Sequence, residues 1–126
     1  MSPGITLDAG AMIALDRDDR RVIVLLARAA ETSAAVTIPA AALAQAIRDP
    51  ARQARLARLI RTPRSEIVAL DRNDAVGIGR LLSSSGSADV VDAHVVLCAR
   101  RAGQAVVTSD AKDLARLDPA LRLIEI

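Results

Sequence analysis

Apolar residues recur along the chain with two different spacings, and the order of these segments predicts an α/β fold. Short runs rich in apolar residues predict about five strands, at residues 5–7, 35–38, 66–70, 105–108 and 121–126. Apolar residues at helical spacing predict helices just after Gly10 and at residues 19–30, 39–47, 51–60, 72–82, 88–102 and 110–117. Alternating strands and helices favour a parallel sheet flanked by helices on both faces. We therefore expect one α/β domain spanning residues 1–126.

The composition limits the kind of core and the compartment that suit the chain. Hydrophobic residues make up 52% of the chain, yet Phe, Tyr and Trp are absent, so the core has to be built from Leu, Ile, Val and Ala. The lone cysteine, Cys98, cannot form an intrachain disulfide and suits a reducing compartment. No apolar run reaches the roughly 20 residues that cross a bilayer. We expect a cytoplasmic protein that does not associate with membranes.

Basic residues are concentrated in one segment, although the formal net charge is only +2. Residues 45–64 contain a single acid, Asp49, and six arginines: Arg48, Arg52, Arg55, Arg58, Arg61 and Arg64. The planar guanidinium group suits phosphate oxygens, so this segment is compatible with an anionic partner. An ordinary solvated helix face explains it equally well. We take Arg48, Arg52 and Arg55 as the candidate contacts to nucleic acid.

Three aspartates occupy positions that suggest a shared site. Asp8 ends the first predicted strand, Asp110 follows the fourth, and Asp92 interrupts an apolar stretch of helix. Ligands of parallel sheets bind at the carboxyl ends of the strands. Clustered carboxylates repel one another and need a cation. Because the sequence has no cysteine pair and no histidine cluster to hold zinc, Mg²⁺ or Mn²⁺ is the cation that fits.

Each of these aspartates also has an ordinary structural interpretation. Asp8 can close a turn or cap the next helix, and Asp110 can cap the helix that follows it. Asp92 lies about five residues into its predicted helix, so capping does not account for it. His94 points away from Asp92 on a helix, and we interpret it as a core or surface residue rather than a general base.

Four further residues near the three aspartates are secondary candidates. Asp89 and Asp113 lie three residues from Asp92 and Asp110 respectively, which places each pair on one helix face. A negative charge in the first turn of a helix is also favourable by itself. Thr108 and Ser109 are able to orient a water molecule by hydrogen bonds, or simply to close a turn.

Three segments, residues 6–15, 92–96 and 106–114, each contain one of the three aspartates. Together they resemble the motifs of the PIN-domain family, specifically its VapC-type toxin ribonucleases. Residues 6–15, TLDAGAMIAL, resemble the first motif of that family. Residues 92–96, DAHVV, resemble its helical aspartate motif, and residues 106–110, VVTSD, followed by Asp113 and Leu114, resemble its T-x-D motif. The order, the separation and the chain length all match, so the resemblance covers nearly the whole chain.

The resemblance implies a function, a cofactor and partners. Asp8, Asp92 and Asp110 would be the Mg²⁺-binding carboxylates of an endoribonuclease, with Mn²⁺ able to substitute. The toxin would cut RNA, form a homodimer and be neutralised by a cognate antitoxin. The amphipathic segment with Leu56, Leu59 and Ile60 is similar to the region that engages a partner, although core packing also explains these three side chains. Without aromatic residues, RNA would be held through arginine and backbone contacts.

One position departs from the family pattern and keeps other functions open. The family usually carries a glutamate on the helix after the second strand, where this sequence has Gln45. Glutamine brings no negative charge and cannot act as a base; Asp89 or Asp113 could supply the missing carboxylate. A PIN domain that binds RNA or a protein without cleavage is therefore the alternative. A third interpretation, binding of a phosphorylated ligand or phospho-acceptor chemistry, lacks a glycine-rich phosphate loop and a strand-end lysine.

Overall fold

Five strands alternate with α-helices in the computed structural model, which describes residues 4–126. Strands β1 to β5 are Ile5–Leu7, Val36–Pro39, Ser65–Val68, Ala105–Thr108 and Leu123–Glu125. Helices α1 to α7 are Ala9–Asp16, Arg20–Glu31, Ala40–Ala46, Ala54–Arg61, Arg72–Ser85, Val90–Ala102 and Ala111–Leu117. A short 3-10 turn, Pro50–Arg52, lies between α3 and α4. None of the helices in residues 4–126 is long and apolar enough to span a membrane.

The strands form one parallel sheet in the order β3-β2-β1-β4-β5. From β1 the chain moves outward to β2 and β3 on one side, whereas β4 and β5 lie on the other side. The direction of winding therefore reverses between β1 and β4, and at such a switch point the connections diverge and leave a crevice at the carboxyl ends. The predicted α/β class and the five-stranded parallel sheet are confirmed.

The apolar core is built mainly of aliphatic side chains. The largest fully buried apolar residues are Leu7, Met12, Val22, Ile38, Leu56, Val95, Val96, Val106, Val107 and Leu114. Helix α6 supplies much of this core, since six of its residues are buried. Helix α3 packs against α1 and α6, and it presents the small side chains of Ala42 and Ala46 there, both fully buried. Small residues allow helices to approach closely, which compensates for the absence of aromatic rings.

A buried polar group joins α5 to α6. Asp71 and Asp74 form a capping box at the start of α5. The Asp74 carboxylate, only 2% exposed, also accepts a hydrogen bond from the Arg101 guanidinium on α6. The fully buried His94 places its Nε2 3.8 Å from Asp74 Oδ2. His94 is thus a core residue on the α5 side of α6, as one of its two predicted interpretations states.

Helix α6 begins two residues later than predicted. Ser87 directly precedes the predicted range and is the expected N-cap, but its hydroxyl accepts the Asp89 backbone N–H at 3.2 Å instead. Asp89 is the N-cap, and its Oδ1 accepts the Asp92 backbone N–H at 3.0 Å. Asp92 therefore lies in the first turn, at the third helical position. The prediction that it lies about five residues inside the helix is wrong. A negative charge in the first turn is stabilised by the helix dipole, so Asp92 also has an ordinary structural role.

Candidate metal centre

Asp8 is fixed at the carboxyl end of β1 by hydrogen bonds on two sides. Its backbone N–H donates to Val107 O at 3.3 Å, which aligns it with the end of β4. Its Oδ1 accepts the Ala11 backbone N–H at 2.8 Å and so caps α1. The hydroxyl of Thr108 donates to the same carboxylate. Asp8 is only 4% exposed, and these hydrogen bonds fix its carboxylate at the ends of β1 and β4, the strands on either side of the switch point.

Asp110 occupies the N-cap position of α7 without performing the capping function. Its side chain makes no capping hydrogen bond. Its backbone N–H donates to Thr108 Oγ1 at 2.8 Å, so the fully buried Thr108 contacts both Asp8 and Asp110. The Asp110 carboxylate instead contacts that of Asp113, one turn further along α7. Its orientation is therefore explained by the acidic cluster and not by helix capping.

Carboxylates from three segments converge at this edge of the sheet. Oxygen atoms of Asp92, Asp110 and Asp113, one from each, all lie within 4.8 Å of one another. The charges of Asp8 and Asp110 both act on Asp92, as does that of Asp89. Asp92, Asp110 and the secondary candidate Asp113 thus form the close group, whereas Asp8 and Asp89 lie outside it but near enough for their charges to act on Asp92.

The pKa values show that the negative charge of this cluster is not balanced by a base. Burial, followed by the charges of Asp89, Asp8 and Asp110, raises the pKa of Asp92 to about 7. The pKa of Asp110 is raised, first by its hydrogen bond with Asp113. Burial raises the pKa of Asp8 against the lowering effect of its hydrogen bonds. Among the residues that the structure describes, no basic side chain is a leading cause of any of these shifts.

The donor set fits a hard divalent cation. The cluster offers carboxylate oxygens, the ligands that Mg²⁺ and Mn²⁺ prefer. The soft or nitrogen ligands of the described chain lie elsewhere: His94 is buried beside Asp74, and Cys98 is buried with its thiol pKa raised to about 11. A bound cation would also offset the repulsion that raises the pKa of Asp92. The residues present therefore fit Mg²⁺ or Mn²⁺ and do not fit zinc.

Gly10 is a further residue of this site, although its place in the sequence indicates only a turn. It lies inside the first turn of α1, and a Cβ atom there would be 2.3 Å from Ser109 Oγ and 3.4 Å from Asp8 Oδ1. The absence of a side chain therefore lets Ser109 approach the helix beside Asp8. The only sequence signal is a glycine two residues after a strand-end aspartate, and that signal gives no indication of the contact with Ser109.

Gln45 and the candidate arginines are exposed. Gln45 lies on α3 and is not among the leading causes of the shifted pKa values. Arg52 lies 3.5 Å from Asp49 and Arg55 lies 3.0 Å from Asp18, all exposed. The exposed Arg48 adjoins the same segment.

The start of α4 is anchored at the end of α1 that is remote from Asp8. The Asp16 carboxylate accepts the Leu56 N–H at 3.1 Å and the Gln53 Nε2 at 3.0 Å. Asp16 is the last residue of α1, about 12 Å along the helix from Asp8 at 1.5 Å per residue. The arginine segment is therefore separated from the carboxylates by about the length of this helix.

A groove of about 230 Å³ lies between α2 and α4. Its floor is aliphatic and includes Leu15, Ile23, Leu26 and Leu59, whereas its rim carries Arg55, Arg58 and Arg64. Leu56 and Leu59 of the amphipathic segment are both buried in the fold. Packing against the core therefore accounts for these two leucines, and Leu59 also lines the groove.

Comparisons with known proteins agree with the fold. Residues 5–119 match the PIN domain. The structure is similar to a chain in the crystal structure of VapBC2 from Rickettsia felis bound to a DNA fragment from their promoter, with a TM-score of 0.65, 16% sequence identity, and coverage of 96% of this chain and 97% of that chain. No match is found among curated proteins. Because the PIN match covers nearly all of its length, this chain belongs to the PIN domain family.

Proposed function

We propose that this chain is a Mg²⁺-dependent endoribonuclease of the VapC type, the toxin component of a type II toxin–antitoxin module. The observation that carries the proposal is the convergence of Asp8, Asp92 and Asp110 at the switch point of a PIN domain, without a basic partner in the described chain. Unbalanced carboxylates with perturbed pKa values are typical of functional sites.

The residues in and beside the cluster would have different roles in such a site. Asp8, Asp92 and Asp110 hold the cation, and Thr108 keeps Asp8 and Asp110 in register through its hydroxyl. When bound, a divalent cation stabilises charge on a phosphodiester and makes water a better nucleophile at neutral pH. Ser109, exposed beside Gly10, is placed to orient a water molecule or a phosphate oxygen. Mn²⁺ is expected to substitute for Mg²⁺ because both prefer oxygen ligands.

RNA is the proposed substrate, bound mainly through its backbone. The chain has no aromatic residue on which a base can stack. Arg48, Arg52 and Arg55 are exposed, and the ion pairs of Arg52 and Arg55 with aspartates are of the surface type that contributes little energy. These arginines are therefore free to exchange their partners for phosphate groups, and binding is expected to weaken with salt.

The groove between α2 and α4 supports an antitoxin as the protein partner. Its aliphatic floor and the arginines of its rim, Arg55, Arg58 and Arg64, complement an amphipathic segment with acidic residues. The similar solved structure is a VapBC2 complex. Co-purification with the product of an adjacent small gene tests this partner, and Arg58→Glu is expected to weaken the complex.

We also propose that the chain forms a homodimer and works in the cytoplasm. The exposed Ile47 borders an apolar depression lined by Pro50, Ala57 and Ile60, which suits a second copy of the chain. Light scattering across a range of protein concentrations tests the dimer. The lone cysteine Cys98 is compatible with a reducing compartment.

A PIN domain that binds RNA or a protein without cleaving RNA is the second candidate. It is favoured by Gln45, which is exposed and uncharged at the position where the family usually carries a glutamate. If the cluster held a cation too weakly for catalysis, binding would persist without cleavage.

Incubation of the purified protein with structured and single-stranded RNAs, in Mg²⁺, in Mn²⁺ and in EDTA, separates the two candidates. The nuclease is expected to cut at least one RNA only when metal is present. Asp8→Asn should abolish cutting, while Asp49→Asn, which removes the same charge from an exposed acid, should cut normally. RNA binding without cleavage in either metal would instead establish the non-catalytic function.

A further inference from the structure

Strand β5 forms an edge of the sheet, since the only strand of residues 4–126 that pairs with it is β4. The Ile126 N–H faces β4 and donates to Thr108 O at 3.0 Å. Backbone groups of successive residues in a strand point to opposite sides, so the N–H and C=O groups of Leu123 and Glu125 point outward. No strand of the described chain pairs with them. β5 is therefore an edge to which a further strand can be added.

A depression of about 370 Å³ lies between β5 and helix α2. Its apolar wall is formed by Val24, Leu25, Ile124 and Ile126, and Val24 is 45% exposed. Glu125 lines the depression as well. Successive side chains of a strand point to opposite faces of the sheet, so a depression that reaches both Ile124 and Glu125 extends over the outer edge of β5. The outward backbone groups and the apolar side chains therefore belong to one surface.

Positive charge at this depression is not balanced within the described chain. Arg20 and Arg28 line it, and neither forms an ion pair with another residue of the part of the chain that the structure describes. The third arginine there, Arg21, pairs with Asp19 at 2.9 Å. Glu125 is the one acid among the described residues that line the depression. A ligand of this surface is therefore expected to carry negative charge.

The spacing of these groups on α2 suits an extended segment. Arg20, Val24 and Arg28 follow one another at intervals of four residues, so they lie on one face of the helix over about 12 Å. In a strand, three side chains at every second position lie on one face over about 13 Å. An acid, an apolar residue and a second acid at alternate positions of a strand therefore match this face of α2.

Two other occupants fit this surface less well. Pairing with a second copy about a twofold axis would bring the arginines of both copies together, and like charges across an interface are unfavourable. RNA would match the arginines but would not cover the apolar wall, where Val24 is exposed. An acidic polypeptide segment satisfies the backbone groups, the apolar side chains and the arginines at once.

We propose that α2 and β5 form a docking surface for an acidic segment of a partner protein, which binds as an added strand beside β5. The outward backbone groups of β5 hydrogen-bond the segment, Val24 contacts its apolar side chain, and Arg20 and Arg28 pair with its acids. In the described chain this surface shares no lining residue with the groove between α2 and α4, and it contains none of the clustered aspartates. The proposal is therefore independent of the proposed nuclease function.

Titration of the isotopically labelled chain with the peptide TETVTET, followed by NMR, tests the proposal. The peptide carries glutamate, valine and glutamate at alternate positions, and TKTVTKT is its matched control of opposite charge. TETVTET is expected to bind at least about tenfold more tightly than TKTVTKT. Arg28→Glu should weaken the binding of TETVTET by about tenfold or more, whereas Arg80→Glu, which reverses an exposed arginine on α5, should leave it unchanged. The remaining signals of both variants should match those of the native chain, which shows that they fold.

Hydrogen exchange of individual amides shows whether the peptide adds a strand. Bound TETVTET should slow the exchange of the Leu123 and Glu125 amides and leave that of the Ile126 amide, already bonded to β4, unchanged. Absence of binding up to about millimolar peptide, or binding that leaves the Leu123 and Glu125 amides fast, would overturn the proposal. So would loss of binding in Arg58→Glu but not in Arg28→Glu, which would place the peptide in the groove between α2 and α4. Protection of the two amides without peptide, rising with protein concentration, would instead assign β5 to a second copy.

Discussion

Two groups of acidic side chains lie on opposite sides of helix α6, and they differ in how their charge is balanced. On one side, Asp74 is buried against Arg101, whose guanidinium lowers the pKa of that carboxyl. On the other side, Asp92 is surrounded by further acids and its pKa is raised to about 7. A buried acid with a basic partner stabilises the native structure. A group of acids without a basic partner lowers the stability of the native structure through mutual repulsion. Such a group is typical of a site that binds a cation.

The strongest test of this difference is the loss of Asp92. Asp92→Asn is expected to reduce metal-dependent RNA cleavage by at least about a hundredfold, because a cation ligand is lost. The free energy of unfolding in urea should stay the same or rise in the metal-free protein, since repulsion with Asp8 and Asp110 is removed. A marked loss of stability would show instead that Asp92, like Asp74, stabilises the fold.

Asp74→Ala is expected to lower stability and to leave metal binding unchanged, the opposite of Asp92→Asn. It removes the hydrogen bond from Arg101 and half of the capping box of α5, which should lower the free energy of unfolding by about 2 kcal/mol. Mn²⁺ affinity of the folded variant should change little. Urea unfolding checks the first expectation, with Asp49→Ala as a surface control; unchanged stability would show that the pairing does not hold α5 to α6.

Gly10→Ala should impair the site without harming the fold. The new methyl group would meet Ser109 Oγ, and displacing that residue is expected to slow cleavage by roughly tenfold. The matched control is Gly79→Ala, because a Cβ there meets no atom within 4 Å and alanine should stabilise α5 by about 1 kcal/mol. Equal cleavage rates for both variants would exclude a role for the Gly10–Ser109 contact.

The smallest expected effect is a pH dependence of stability. Because the pKa of Asp92 is raised to about 7, the native state binds more protons than the unfolded state above about pH 4. Stability from this group therefore falls as pH rises towards 7. Burial of His94 lowers its pKa and acts in the opposite sense, so the informative quantity is the difference between native chain and Asp92→Asn.

Melting curves in EDTA from about pH 5 to pH 8 measure this difference. The native chain should lose a few degrees of melting temperature relative to Asp92→Asn as the pH rises. Added Mg²⁺ should restore the melting temperature of the native chain only. A difference that does not vary with pH would mean that the charge of Asp92 is already balanced.

The fold could be predicted from the sequence where burial sets the pattern. Strands β1 and β4 lie within the core and match their predicted ranges. The predicted range of the edge strand β3 starts one residue late and ends two residues late, because exposed residues such as Ile67 leave no alternation to follow. The predicted start of α6 is wrong because Ser87 and Asp89 are both good capping residues, and only the tertiary structure selects Asp89.

The candidate site could be predicted in part. The strand-end positions of Asp8 and Asp110 and the apolar surroundings of Asp92 single out these residues from the sequence alone. The adjacency of β1 and β4 depends on strand order, and the contact between Gly10 and Ser109 joins residues far apart in the sequence. Neither the strand order nor this contact produces a local pattern in the sequence. The role of Gln45 and that of the arginines stay predictions.

Crystals of the native chain soaked in MnCl₂ test the central claim most directly, because the anomalous scattering of manganese shows where the cation binds. We predict an anomalous peak among the carboxylates of Asp8, Asp92, Asp110 and Asp113. No peak there at saturating Mn²⁺, or peaks only at isolated surface acids, would contradict the claim that these unbalanced carboxylates form a metal centre.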